Sequence, residues 1–110
     1  MRADAPDGAH SAVLFQRDCG ATTGFSTQIS VLPAGREPVD AGNVLVADTG
    51  HGASVRVGAW RGPWAELRWL SPHHLLIRYA AGARLFARAE ESDGVRISYE
   101  LVPALNPARP

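Results

Sequence analysis

Apolar and polar residues alternate at period two along most of this chain, and no stretch shows the spacing of an amphipathic helix. Residues 25–31 alternate Phe, Thr, Ile and Val with Ser, Gln and Ser, and residues 95–101 repeat the pattern. Successive side chains of an extended strand point to opposite faces. The alternation therefore predicts strands with one apolar face, which must pack against another sheet.

About eight short alternating segments are separated by residues that favour turns. Asp93-Gly94 is a strong hairpin signal, and Pro72 suits the second position of a turn between two further segments. Eleven glycines and eight prolines interrupt the chain too often for long helices. We expect an all-β fold, a single antiparallel sandwich or barrel of about eight short strands.

The chain has 110 residues, the size of one domain. We expect a single β-domain over residues 1–110, with a loosely ordered leader at 1–8 and a loose tail at 103–110. No apolar run reaches the roughly 18 residues of a membrane-spanning helix. The first ten residues hold no apolar signal-peptide core, so the sequence as written predicts a cytoplasmic protein unless its start is truncated.

Charge and glycine pattern exclude two classes of ligand. Eleven arginines balance eleven acidic residues, which argues against a nucleic-acid binder because such proteins carry a basic surplus. The one closely spaced glycine pair, Gly50 and Gly52, is not followed by the helix that a phosphate-binding loop requires. We expect no cofactor.

The sharpest local motif is Asp48-Thr49-Gly50, which follows an apolar segment at residues 44–47. This arrangement resembles the active-site loop of retroviral-type aspartic proteases, β-rich homodimers in which each chain supplies one carboxylate. The resemblance implies Asp48 as the catalytic residue, since two facing carboxylates share one proton. The favoured interpretation is instead a turn that ends a strand, because His51 stands where that family has Ala or Ser.

Metal binding and thiol catalysis are weaker alternatives. Asp48, His51 and His73 are candidate metal ligands, but His73 and His74 are adjacent and would point to opposite sides of a strand. Cys19 is the sole cysteine, so no disulfide can form within the chain. The neighbouring Asp18 disfavours a reactive thiolate. We expect no metal site and no catalytic residue.

Three tryptophans fall within ten residues, where aromatic side chains can form a recognition surface. Trp69 continues the apolar alternation of its segment and is expected in the core. Trp60, Arg61 and Trp64 lie in a Gly-Pro turn and are the candidate binding residues.

Several segments resemble a group of uncharacterised small bacterial proteins. The resemblance extends over roughly residues 6–100, and its most specific part is Asp18-Cys19-Gly20-Ala21-Thr22-Thr23-Gly24. Members often carry a secretion or lipoprotein signal, so the resemblance implies a small β-rich envelope protein, with no activity attached.

These observations favour a non-enzymatic β-domain that binds a protein or a component of the cell envelope. One alternative is the homodimeric aspartic protease built on Asp48. Another is a small inhibitor or immunity-type protein that acts on a larger partner.

Overall fold

The structure is a computed structural model that describes residues 1–18, 25–39, 41–48, 55–58, 60 and 62–103. The side chains of Arg17, Asp18 and Phe25 are outside this description. The strands are β1 (Arg2–Asp4), β2 (His10–Asp18), β3 (Phe25–Pro33), β4 (Leu45–Asp48), β5 (Ala65–Ser71), β6 (His74–Ala80), β7 (Arg84–Arg88), β8 (Glu91–Ser92) and β9 (Val95–Val102).

Two sheets form a β-sandwich. The first sheet has five strands in the order β1-β2-β3-β4-β7, and the second has four in the order β5-β6-β9-β8. No helix occurs in the described residues, and so none there could cross a membrane. The expected all-β fold is confirmed.

One strand pair differs from the expected antiparallel arrangement. Strands β6 and β9 run parallel, with Leu75 opposite Ile97. The chain leaves β6, crosses to the first sheet as β7, and returns through the β8–β9 hairpin to the free edge of β6. The chain reverses direction once between β6 and β8 and a second time at the β8–β9 hairpin. Because the number of reversals is even, β9 runs in the same direction as β6.

The turns follow the sequence signals. Asp93 and Gly94 both adopt positive φ, 52° and 79°, as a two-residue hairpin turn between Ser92 and Val95 requires. Pro72 lies in the turn that joins β5 to β6, where Ser71 pairs with His74. Both predicted hairpins are therefore present, although the Asp93-Gly94 turn joins β9 to the short β8 rather than to β7.

The N-terminal residues differ from the loose leader that we expected. Arg2–Asp4 forms an edge strand on β2, with Arg2 opposite Val13, and the amide of Leu14 donates to the Met1 carbonyl at 2.7 Å. The sequence did not indicate this strand, because three residues are too few to show an alternation of apolar and polar side chains. Of the expected tail, residues 104–110 lie outside the described residues.

The core lies between the two sheets. Its fully buried members come from both, and the largest apolar ones are Ile29, Val31, Val44, Leu45, Leu75, Ile77 and Val95. The other face of β3 is also buried, since Ser26, Gln28 and Ser30 are at most 5% exposed. That second buried face is polar, and hydrogen bonds such as the one from Gln28 Nε2 to Ser26 Oγ (2.8 Å) satisfy its atoms.

The sheets are linked along both sides of the sandwich. On one side the chain crosses between them at Ala89 and Glu90: the Ala89 amide donates to the carbonyl of Val44, just before β4 of the first sheet, and the Glu90 carbonyl accepts from the amide of Ile97 in the second. On the opposite side, the indole N–H of Trp69 in β5 donates to the carbonyl of Ala3 in β1 at 2.9 Å. Hydrogen bonds therefore join the two sheets at both edges of the sandwich.

Candidate functional site

Trp60 and Thr27 form the innermost part of the predicted binding region. The indole Nε1–H of Trp60 donates to Thr27 Oγ1 at 2.7 Å, and that hydroxyl donates to the Pro63 carbonyl at 2.6 Å. Thr27 is fully buried on β3, and Trp60 packs against the core. Gly62 lies so close to Thr27 Oγ1 that a Cβ there would collide with it. Trp60 and Pro63 are thus fixed to the first sheet through Thr27.

Trp69 also has a structural position. Its ring packs against the core, and its N–H reaches Ala3 across the sandwich. The prediction that Trp69 contributes to the core agrees with this packing, although the side chain is only partly buried. Two of the three tryptophans therefore use their indole donors inside the molecule.

Trp64 differs from the other two tryptophans. It is half-buried, and the guanidinium carbon of Arg56 lies 4.4 Å from the centroid of its ring. Within the described part of the chain, no hydrogen bond engages its indole N–H. The backbone N–H of Trp64 donates to the Arg56 carbonyl at 2.9 Å, and Val57, next to Arg56, is 50% exposed. We refer to Arg56, Val57 and Trp64 as the Trp64 surface.

The electrostatics of the Trp64 surface combine an aromatic face with the positive charge of Arg56. A guanidinium over an indole face is a cation–π contact of about 0.5–1 kcal/mol at exposed sites. Arg56 has no carboxylate within ion-pair distance among the described residues. The third predicted binding residue, Arg61, lies outside the described residues.

Asp48 ends β4 directly opposite Arg84 on β7. Its residue is 1% exposed, and its two carboxylate oxygens accept from Arg84 Nε at 2.9 Å and from Nη2 at 2.8 Å. A bidentate guanidinium stabilises the ionised carboxylate and occupies both oxygens. This arrangement suits a structural ion pair better than a carboxylate that shares a proton with a second copy of itself. Thr49, Gly50 and His51 lie outside the described residues.

Sequence reasoning missed Arg84 as the partner of Asp48, because the pair depends on β7 joining the first sheet. Sequence reasoning also did not identify Phe86 as an exposed aromatic residue, although its side chain is 60% exposed. The β4–β7 register shifts between Val46 and Ala47, so Phe86 is the extra residue of a bulge. The guanidinium carbon of Arg84 lies 5.0 Å from the Phe86 ring centroid. The bulge turns this aromatic side chain toward solvent.

The other candidate residues that the structure describes do not form a cluster. Among the residues that the structure describes, no three His, Cys, Asp or Glu side chains are arranged to hold a metal ion. His73 lies in the turn between β5 and β6, in the opposite sheet from Asp48, and His74 Nε2 lies 2.6 Å from Ser98 Oγ. His51 and Cys19 belong to the undescribed residues.

Comparison of the chain with protein-family models, with curated proteins and with solved structures finds no match. A function for this chain must therefore be inferred from the geometry of its described residues.

Proposed function

We propose that this chain is a non-enzymatic β-domain that binds a protein or another component of the cell envelope through the Trp64 surface. The observation that supports the proposal is the contrast among the tryptophans. Trp60 and Trp69 use their N–H groups in internal hydrogen bonds, whereas no hydrogen bond within the described residues engages the indole N–H of Trp64, whose ring lies against Arg56.

The chemistry of Trp64 and Arg56 fits a protein interface. Trp and Arg are enriched among the residues that contribute most to binding energy, and a rigid aromatic ring loses little conformational entropy on binding. The indole offers an apolar face together with one donor. Val57 adds exposed apolar area at the edge of the same surface.

The two alternatives have different support. A dimeric protease would need Asp48 facing a second carboxylate, and the Arg84 ion pair favours a structural role for Asp48. A small inhibitor or immunity-type protein also acts by binding a protein, so it remains within the proposal and differs only in the nature of the partner.

Site-specific photo-crosslinking tests the proposal. A benzophenone amino acid replaces Val57 on the Trp64 surface or, as the control, Leu101 on β9, which is 58% exposed. Irradiation in extracts of the source cells should give one discrete crosslinked product from position 57 and none from position 101. The product should disappear when Trp64→Ala is added.

Stability measurements separate a binding effect from unfolding. We expect Trp64→Ala to leave the thermal midpoint nearly unchanged, since the ring packs on Arg56 rather than in the core. Equal crosslinking from both positions, or a product that persists in Trp64→Ala, would contradict the proposal.

A further inference from the structure

The described residues of the loop between β3 and β4, 34–39 and 41–44, include several that hydrogen-bond to β3 on the outer face of the first sheet. Asn43 binds the backbone of Val31 twice: its Oδ1 accepts from the Val31 amide at 2.9 Å, and its Nδ2 donates to the Val31 carbonyl at 3.1 Å. The Gly42 amide donates to Gln28 Oε1 at 2.8 Å, and the Asn43 amide donates to Ser30 Oγ at 3.1 Å.

The first half of the loop is held from the other side. Arg2 Nη2 lies 3.0 Å from the Arg36 carbonyl and 2.7 Å from Glu37 Oε2. The Arg36 amide donates to the Pro33 carbonyl at 3.1 Å. Because both halves are held, the space between the loop and β3 exists before any ligand arrives, which lowers the entropic cost of binding.

That space is a cavity of about 310 Å³. Its walls are mainly apolar and include Leu32, Pro33, Pro38, Val39 and Ala41. Val39 is 86% exposed, more than any other large apolar side chain in the described residues. The volume is at the lower end of ligand-binding pockets and, at protein packing densities, holds about ten non-hydrogen atoms.

Two charged side chains, Arg36 and Glu37, line this cavity, and they differ in whether they already form an ion pair. Glu37 is engaged by Arg2, whereas Arg36 also lines the cavity and its guanidinium has no ion pair or hydrogen bond among the described residues. A guanidinium binds a carboxylate through two parallel hydrogen bonds, and apolar walls bind an aliphatic body. The complementary ligand is therefore a small amphiphilic carboxylate.

We propose that this cavity binds a medium-chain carboxylate, with the carboxylate on Arg36 and the aliphatic chain against Leu32, Pro38 and Val39. The site is separate from the Trp64 surface and does not depend on the function proposed for it. Covering Val39 removes exposed apolar area from water, and Arg36 gains a partner that the described residues do not supply.

Octanoate, with ten non-hydrogen atoms, is the probe, and 1-octanol and octylamine are the controls. Titration of the whole chain is followed by amide chemical shifts in two-dimensional NMR. Octanoate should shift the amides of the cavity residues and saturate, and it should bind at least about tenfold more tightly than octanol because the charged head adds a bidentate contact.

Two substitutions identify the contacts. Arg36→Gln should weaken octanoate binding about tenfold while leaving the affinity for octanol unchanged, and Val39→Ser should weaken both ligands. Arg68→Gln is the matched control, since Arg68 is another exposed arginine without an ion pair in the described residues, and it lies on the second sheet. All three positions are exposed, so these variants are expected to fold.

Three results would overturn the proposal. One is the absence of saturable shifts at these residues, and another is equal binding of octanoate by the Arg36→Gln and wild-type chains. The third is tighter binding of octylamine than of octanoate, which would mean that the carboxylate of Glu37, rather than Arg36, determines the preference.

Discussion

The indole N–H of Trp60 donates to the hydroxyl of Thr27, 33 residues earlier in the chain, and the same hydroxyl donates to Pro63. One buried threonine thus holds the turn beside the Trp64 surface onto the first sheet. These two hydrogen bonds fix the residues beside the Trp64 surface relative to the core.

Thr27→Val should therefore destabilise the chain although the side-chain shape is conserved. It leaves the Trp60 donor and the Pro63 acceptor without their partner, at a cost of about 1–3 kcal/mol in the free energy of unfolding. Thr27→Ser keeps the hydroxyl and should recover most of that loss. Urea denaturation monitored by tryptophan fluorescence measures both variants, and equal stability of the Val and Ser variants would contradict the role of the hydroxyl.

Asp48 and Arg84 should behave as a coupled pair. Asp48→Asn removes the charged acceptor of this pair, and we expect a loss of about 1–3 kcal/mol, less than for a fully buried pair because the Arg84 side chain is 47% exposed. Arg84→Lys should lose part of that energy, since it cannot reproduce the two parallel bonds. A double-mutant cycle with Arg84→Gln measures the coupling. Additive effects would show that the two groups act independently.

Gly42 should not tolerate a side chain. A Cβ at this position would lie 2.6 Å from the Leu45 carbonyl oxygen and 2.8 Å from the backbone N and O of Ile29. Because these atoms are backbone, Gly42→Ala should cost about 1–3 kcal/mol. Gly8→Asn is the control: Gly8 has positive φ, which Asn tolerates, and a Cβ there meets no atom within 4 Å. Thermal unfolding compares the two.

Tyr99 should make stability depend on pH in the alkaline range. Burial raises the pKa of its hydroxyl from 10.0 to about 12. Below pH 10 the phenol is protonated in both states and the stabilisation is complete. Between pH 10 and about 12 the unfolded state ionises first, so stability falls as pH rises.

We expect Tyr99 to account for about 1 kcal/mol of that alkaline loss, since the half-buried ring is partly screened by water. Tyr99→Phe also loses the hydrogen bond to the Ala89 carbonyl (2.5 Å), so it should start less stable but decline less steeply above pH 10. Denaturation midpoints at pH 8, 10 and 11 test this. Parallel declines in both proteins would contradict the assignment to Tyr99.

The sequence predicted local structure better than long-range pairing. The alternation at residues 25–31 and 95–101 identified β3 and β9, because a strand's side-chain period is visible without knowledge of its neighbours. The sequence did not indicate the sheet to which β7 belongs. Strands β7 and β8 are separated by only two residues, yet they belong to different sheets, so the chain crosses from one sheet to the other between them. The Asp48–Arg84 pair depends on that crossing and was missed for the same reason.

The candidate binding residues were predicted only in part. The Gly-Pro pair between Trp60 and Trp64 predicted one turn for both, but their different roles depend on Thr27, a residue of a distant strand. The cavity over β3 was also unforeseen. Its walls come from a loop whose attachment requires Asn43 to replace strand pairing with side-chain hydrogen bonds, and no periodic pattern marks such a residue.

The hydrogen bond between Trp69 and Ala3 joins residues that leave the ribosome at different times during synthesis. Ala3 emerges with β1, yet its partner follows 66 residues later. In that interval β1–β3 can pair as a meander, but its apolar face and the outer edge of β1 remain uncovered. The nascent chain is then open to chaperones and to neighbouring nascent chains. Slower translation anywhere between β3 and β9 would lengthen this exposure, because β6 and β9 supply Leu75, Ile77 and Val95 to the core.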